Sequence, residues 1–263
     1  MDARYLFCSI GLVLGALCSC KTYVDRGPDY YGHIEDVSPK PSSIPVPETS
    51  PRDDWRPGVH YNVLFPPLLK KRDEGKVEIV ELSMYTTYST YPAAAEFHPL
   101  LKRWLKEHAD RVTYRRDPSI FAAMEHARIQ AKIFFALREI GRDDLQEKMD
   151  LWVQDPTRER VYHTIRNPDE AAIYKLTLDF IRQNGVDEDK FKDAYHSPEV
   201  DSGVRQMLSQ SAWAKMDASP TFVVDGRFSV SAHRLAYPRK MPDASDFERL
   251  LRLIEFLSKA NIE

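Results

Sequence analysis

The sequence predicts an α/β domain in which a long helical insertion separates a β-β-α-β unit from a closing β-hairpin and helix. Three observations predict it. Short β-rich runs at 61–65, 77–82 and 112–115 bracket one amphipathic helical stretch. A helical pattern then runs from about Ser119 to Lys215, and an Asp225-Gly226 turn between two β-rich runs follows it. About 200 residues lie beyond the last N-terminal proline cluster, enough for one domain with a sizeable core.

Each element has a local cause. Tyr61 to Phe65 reads as a short first strand ended by Pro66-Pro67, and Val77 to Leu82 as a second, β-rich strand. Thr90-Tyr91-Pro92 opens a helix whose Phe97, Leu100, Leu101, Trp104 and Leu105 recur at helical spacing. Pro92 is comfortable at the first helical position but not deeper, so the helix is expected to start late. Val112 to Arg115 is the third strand. Gly141-Arg142-Asp143, Asp155-Pro156, Asn167-Pro168, Asn184-Gly185 and Ser197-Pro198 punctuate the helical block. Thr221 to Val224 and Arg227 to Val230 flank Asp-Gly, a strong short-range hairpin signal. Phe247, Leu250, Leu251, Ile254 and Leu257 mark one face of the last helix.

The N-terminus has a different character. Arg4 precedes an apolar run of about 12 residues, too short to cross a bilayer as a helix and the length of a signal-peptide core. Leu17-Cys18-Ser19-Cys20 resembles a bacterial lipobox, with Leu three residues before Cys20 and a small residue just before it. That resemblance implies cleavage after residue 19 and lipid on Cys20, whose several acyl chains anchor stably. Lys21, rather than Asp, favours the outer membrane, with the protein facing the periplasm. A plain secretory signal leaving Cys20 as a free thiol, a membrane anchor and a cytosolic start are the alternatives. Residues 20–58 carry Pro28, Pro39, Pro41, Pro45, Pro47, Pro51 and Pro57 among Ser, Asp, Glu and Arg. Such a composition buries too little surface to fold and reads as an extended, disordered tether. The expected division is thus 1–19 signal peptide, 20–58 tether and 59–263 folded domain.

The order of elements and two stretches of residues resemble the DsbA-like family of thioredoxin-fold proteins, over about residues 59 to 259. In that family the second strand runs into Glu-Phe-Phe-Ser-x-x-Cys-x-x-Cys-Tyr; here Glu81-Leu82-Ser83-Met84-Tyr85-Thr86-Thr87-Tyr88-Ser89-Thr90-Tyr91 occupies the stretch. Thr87 and Thr90 therefore stand where the family has its two cysteines. The family's cis-proline strand matches Ser219-Pro220-Thr221-Phe222-Val223-Val224-Asp225-Gly226, and Gly185 to Phe191 matches its turn into the late helices. The resemblance implies a thioredoxin-like α/β fold, a cis bond at Pro220, and a backbone edge at Ser219 that accepts an extended peptide.

Thiol–disulfide exchange requires a thiolate. Cys8, Cys18 and Cys20 are the chain's three cysteines, so the body carries none. Thr87, Tyr88, Ser89 and Thr90 form a degenerate site, and the hydroxyl of Thr87 or Thr90 suits a helix N-cap. Tyr85 and Tyr88, with Ser219 and Pro220, are the expected polypeptide-binding residues, since aromatic rings with polar tips suit an interface; part of this set is expected to pack the core. No catalytic residue is assigned.

The leading expectation is a redox-inactive envelope lipoprotein that holds an envelope protein or serves an assembly or secretion complex. A cysteine-free enzyme of the kappa-class glutathione transferase type is the first alternative, with Thr87, or Ser83 or Ser89 in a shifted register, supplying the hydroxyl. An oxidoreductase using Cys18 or Cys20 in an unprocessed chain is the second. A formal net charge of −3, with acids and bases interspersed, gives no footprint for nucleic acid. The eight histidines offer no paired metal-ligand spacing, and His98 and His126 read as packing or surface residues. Ser211, His233 and Asp217 form no credible triad on sequence, and no Gly-rich phosphate loop is present. Neither metal nor cofactor is expected.

Overall fold

The strand register organises everything else. In the computed structural model, which describes residues 54–67, 75–87, 92–121, 124–162, 168–239 and 241–259, five strands form one sheet. They are β1 (Asn62–Val63), β2 (Val77–Ser83), β3 (Val112–Pro118), β4 (Thr221–Val224) and β5 (Phe228–Ser231), in the order β1-β5-β4-β2-β3. β2 and β3 are parallel, joined through helix α1 (Pro92–Glu107), and the remaining pairs are antiparallel. The leader, Cys20 and the tether up to residue 53 lie outside the described residues.

Helices cover the sheet on both faces, which is why β2 is buried almost continuously instead of alternating with solvent. On one face Ile79, Phe222, Val224 and Phe228 pack with Phe97, Leu101 and Trp104 of α1. Helix α9 (Ala244–Ser258) closes that face with Phe247, Leu250 and Ile254, and starts in a capping box between Asp243 and Asp246. On the other face Val80, Leu82 and Val223 meet Ala131 of α2 (Glu125–Glu139) and Val204 and Met207 of α7 (Pro198–Trp213). Burying a side chain of this kind contributes about 1.5–3 kcal/mol.

Between α2 and α7 come α3 (Gln146–Val153), α4 (Pro156–Tyr162), α5 (Glu170–Gln183) and α6 (Glu188–Tyr195), with their own core around Phe134, Tyr162, Phe180 and Phe191. The punctuation read from sequence acts as expected here. Ser197 caps α7 with Pro198 in its first turn, and Asp187 caps α6. Gly185 ends α5 at φ 64°, with its N–H on Arg182 O (3.2 Å) and the Val186 N–H on Ile181 O (3.1 Å), the paired closure of a Schellman turn. Asp225 and Gly226, at φ 55° and 63°, make the expected tight hairpin turn.

Three features depart from the sequence reading. Trp55, assigned to the tether, is 4% exposed and packs in the sheet core, with the Arg249 guanidinium 5.6 Å from its ring; the folded body therefore extends at least to residue 55 rather than starting at 59. Pro99 lies inside α1 on its exposed side, where its missing N–H forgoes one ladder bond. A short helix α8 (Ala232–Ala236), capped by Ser231, follows the hairpin unannounced.

Candidate functional site

At one end of the sheet β2 and β3 finish together while β4 begins. Ser83 stands opposite Pro118, and Leu82 opposite Thr221, so the register brings Met84, Ser119 and Ser219 to one corner. The Ser219–Pro220 bond is cis, as the resemblance implies; Phe65–Pro66 and Tyr237–Pro238 are cis as well.

Hydroxyl groups knit this corner. Thr87 Oγ1 lies 2.6 Å from Ser219 Oγ and accepts the Met84 N–H at 2.9 Å, while the Thr87 N–H donates to Met84 O at 3.0 Å. The two residues thus close a turn on each other, with the side chain of Thr87 reaching back three positions as in the second half of a capping box. Ser219 Oγ also accepts from Met84 N–H (3.3 Å) and from Ser119 Oγ (3.5 Å). Thr87 and Ser119 are buried, and Ser219 is 6% exposed. Among the described residues no imidazole or carboxylate is hydrogen-bonded to Thr87 Oγ1, so nothing there draws off its proton. These contacts shape the backbone of the corner.

Beneath the loop Arg116 of β3 ties three parts of the molecule together. Its Nε donates to Ser83 Oγ at 2.6 Å, and one terminal nitrogen donates to Met84 O at 3.3 Å. Both terminal nitrogens engage the Asp150 carboxylate of α3, one of them at 2.8 Å. Glu81, fully buried on β2, lies 3.8 Å from Arg116 Nε and accepts from the Tyr114 hydroxyl at 2.7 Å. Burial pushes the Asp150 carboxyl up to about 6 against the pull of Arg116, and burial with Glu81 beside it raises the Tyr114 hydroxyl.

Tyr85 corrects one expectation. Assigned to the binding edge, it is 2% exposed and belongs to the core of the helical block, tilted on Phe134 with ring centres 6.3 Å apart. Its hydroxyl donates to Gln146 Oε1 at 2.5 Å, and burial raises its pKa. The local reason is the tight Met84–Thr87 turn, which carries the ring towards α2 and α3. Tyr88, Ser89 and Thr90 lie outside the described residues. His98, half-buried on α1, titrates low because of burial, and His126 is a buried residue of α2. No group of three or more potential metal ligands occurs among the described residues. Nothing in sequence spacing announced Arg116, Asp150 or Ser119; the parallel pairing of β2 with β3 is what assembles them.

No family model matches the sequence. Named relatives do. The thiol:disulfide interchange protein DsbA of Burkholderia cepacia is 27% identical over 206 residues, covering 77% of this chain and 84% of that protein. Its Azotobacter vinelandii counterpart is 24% identical over 173 residues, covering 66% and 73%. Among solved structures, Pseudomonas aeruginosa DsbA superposes with a TM-score of 0.57 at 22% identity over 77% of this chain and 94% of its own. The Xylella fastidiosa oxidoreductase DsbA gives 0.56 at 23% identity over 76% and 93%. The sheet order, the cis-proline at the head of β4 and the helical insertion define a thioredoxin-fold protein. The chain is similar over about two thirds or more of its length to DsbA proteins, named as thiol:disulfide interchange proteins, and shares their thioredoxin-like fold.

Proposed function

We propose that this chain is a redox-inactive DsbA-like protein, an envelope lipoprotein that binds an extended polypeptide at the Ser219–Thr221 edge. One observation carries the reading. Thr87, which the motif aligns with the family's first cysteine, holds the residue before Pro220 through a 2.6 Å hydroxyl contact, in a chain whose cysteines all fall within its first 20 residues. Exchange chemistry needs a thiolate at that point, and a threonine hydroxyl does not ionise near neutral pH. Holding an extended segment by backbone pairing needs none.

In this reading residues 1–19 are removed as a signal peptide and Cys20 carries the lipid. The Pro-rich segment then holds the body, from about residue 54, on the periplasmic side of the outer membrane. The partner is an envelope protein. It pairs with the backbone beside Ser219 and meets side chains from the Met84 to Thr90 segment, Tyr88 foremost now that Tyr85 is committed to the core. Related DsbA proteins from other bacteria support an exported setting.

The test combines chemistry with a contact map. Purified chain reduces no insulin, and a photo-crosslinker at Met84 labels an envelope protein in cells, whereas one at Lys175 on α5 does not. If Tyr88 is a hot spot worth about 2 kcal/mol, Tyr88→Ala weakens that capture roughly thirtyfold. Cys20→Ala releases the protein from membranes and Cys18→Ala leaves it anchored. Insulin reduction by mature chain, or crosslinking from Lys175 alone, overturns the proposal.

A further inference from the structure

One guanidinium stands between two buried carboxylates. Glu81 and Asp150 have side chains 0% and 4% exposed, and Arg116, at 13%, is the cation placed between them. Arg116 is committed to Asp150 through both terminal nitrogens, while Glu81 is only 3.8 Å from its Nε and is already held by the Tyr114 hydroxyl. The same guanidinium holds Ser83 Oγ and Met84 O, the carbonyl that closes the Thr87 turn.

We propose that this triad is a proton-operated tie. Uptake of a solvent proton by Asp150 frees the Arg116 guanidinium to move to Glu81, loosening both its hold on Met84 O and the attachment of α3 to the sheet. Two carboxylates close to one guanidinium in a low-dielectric setting compete for it, and a proton on one leaves the cation to the other. Asp150 is the carboxylate that takes it, because burial already pushes it up to about 6. The state with Arg116 on Glu81 is one short side-chain movement away, so the element has two defined positions. The device differs from the polypeptide-binding reading and does not rest on it.

The other charged or titratable groups around Asp150 are accounted for. From α3 Glu147 faces it, paired with Lys102 of α1 at the surface. From α1 His98 faces Glu81, Glu147 and Arg116, and burial lowers its pKa. From α2 Arg138 is engaged with Asp117 Oδ1 at 3.0 Å and the Arg116 carbonyl at 2.9 Å. Tyr85 and Tyr114 are both raised, so they stay neutral throughout the range in question. Among the described residues outside the triad, His98 is therefore the rival titrating group.

NMR of the full purified chain tests the proposal between pH 5 and 8. The reporters are the Arg116 Nε–H signal, assigned with Arg116→Lys, and the Met84 methyl signal, assigned with Met84→Leu. Both should move with a common midpoint near pH 6, as burial of Asp150 dictates. In Asp150→Asn both should stay at their low-pH positions across the whole range. Signals that do not titrate in the unaltered chain overturn the proposal, and so does Asp150→Asn fixed at the high-pH positions. A titration that survives Asp150→Asn and disappears in His98→Gln assigns the proton to His98 and overturns it too.

Discussion

Replacing Thr87 with valine keeps its shape and deletes the oxygen that organises the corner. Two contacts go: the 2.6 Å contact with Ser219 Oγ and the 2.9 Å bond from the Met84 N–H. The Met84 N–H retains Ser219 Oγ at 3.3 Å, and Ser219 Oγ retains that donor and Ser119, so no buried group is wholly stranded. The cost should be about 1–2 kcal/mol, at the level of one or two net hydrogen bonds. Ser219→Ala should cost a similar amount, because it leaves the buried Thr87 hydroxyl with Met84 as its remaining partner among the described residues. If the two hydroxyls are each other's main partner, the double variant should fall short of the sum by about 1 kcal/mol. Urea unfolding of the four proteins at pH 7.5, with m unchanged across the set, measures this directly. Additivity within about 0.3 kcal/mol would refute the claim that Thr87 and Ser219 act as a unit.

Arg116→Met takes the guanidinium away from buried Asp150, while Glu81 keeps the Tyr114 hydroxyl, and should destabilise by about 3–5 kcal/mol at pH 7, with part of the loss recovered near pH 5 as Asp150 protonates; urea unfolding at both pH values checks it. Asp150 titrates above its unfolded value of 3.8, near 6, so the native state holds more protons than the unfolded one between those values. Unfolding free energy should therefore fall by up to about 3 kcal/mol as pH rises from 4 to 7, and Asp150→Asn should flatten that slope. A chain beginning at residue 59 should be less stable than one beginning at 54 by about 3–5 kcal/mol, the cost of emptying a large aromatic site, because Trp55 packs in the sheet core.

Sequence carried the fold further than the site. The hairpin was legible because a type of turn that needs two positive φ values leaves Asp-Gly as its trace, and Asp225 and Gly226 adopt them. The helices were legible through caps that act locally: Ser197, Asp187 and Gly185 each do their work within a few residues. The corner was legible only through its resemblance to a family, which pointed to Thr87 and Ser219 but not to the bond between them, 132 positions apart in the chain. Arg116 and Asp150 were not legible at all, because charges on a strand and a helix read as solvated until the parallel register and the docking of α3 bury them. Tyr85 misled for the opposite reason. An amphipathic ring suits a core with a buried acceptor as well as it suits an interface, and Gln146 provides that acceptor.

The Ser219–Thr221 edge is proposed to bind extended polypeptide without thiol chemistry. Amide NMR of the purified chain, titrated with a reduced and carboxymethylated polypeptide that offers no disulfide or thiol, tests it most directly. Saturable shifts centred on the amides of Met84, Ser219 and Thr221 are expected, with α5 and α6 unmoved. Shifts confined to the helical block, or no binding of a thiol-free chain where a disulfide-bearing one binds, would contradict it.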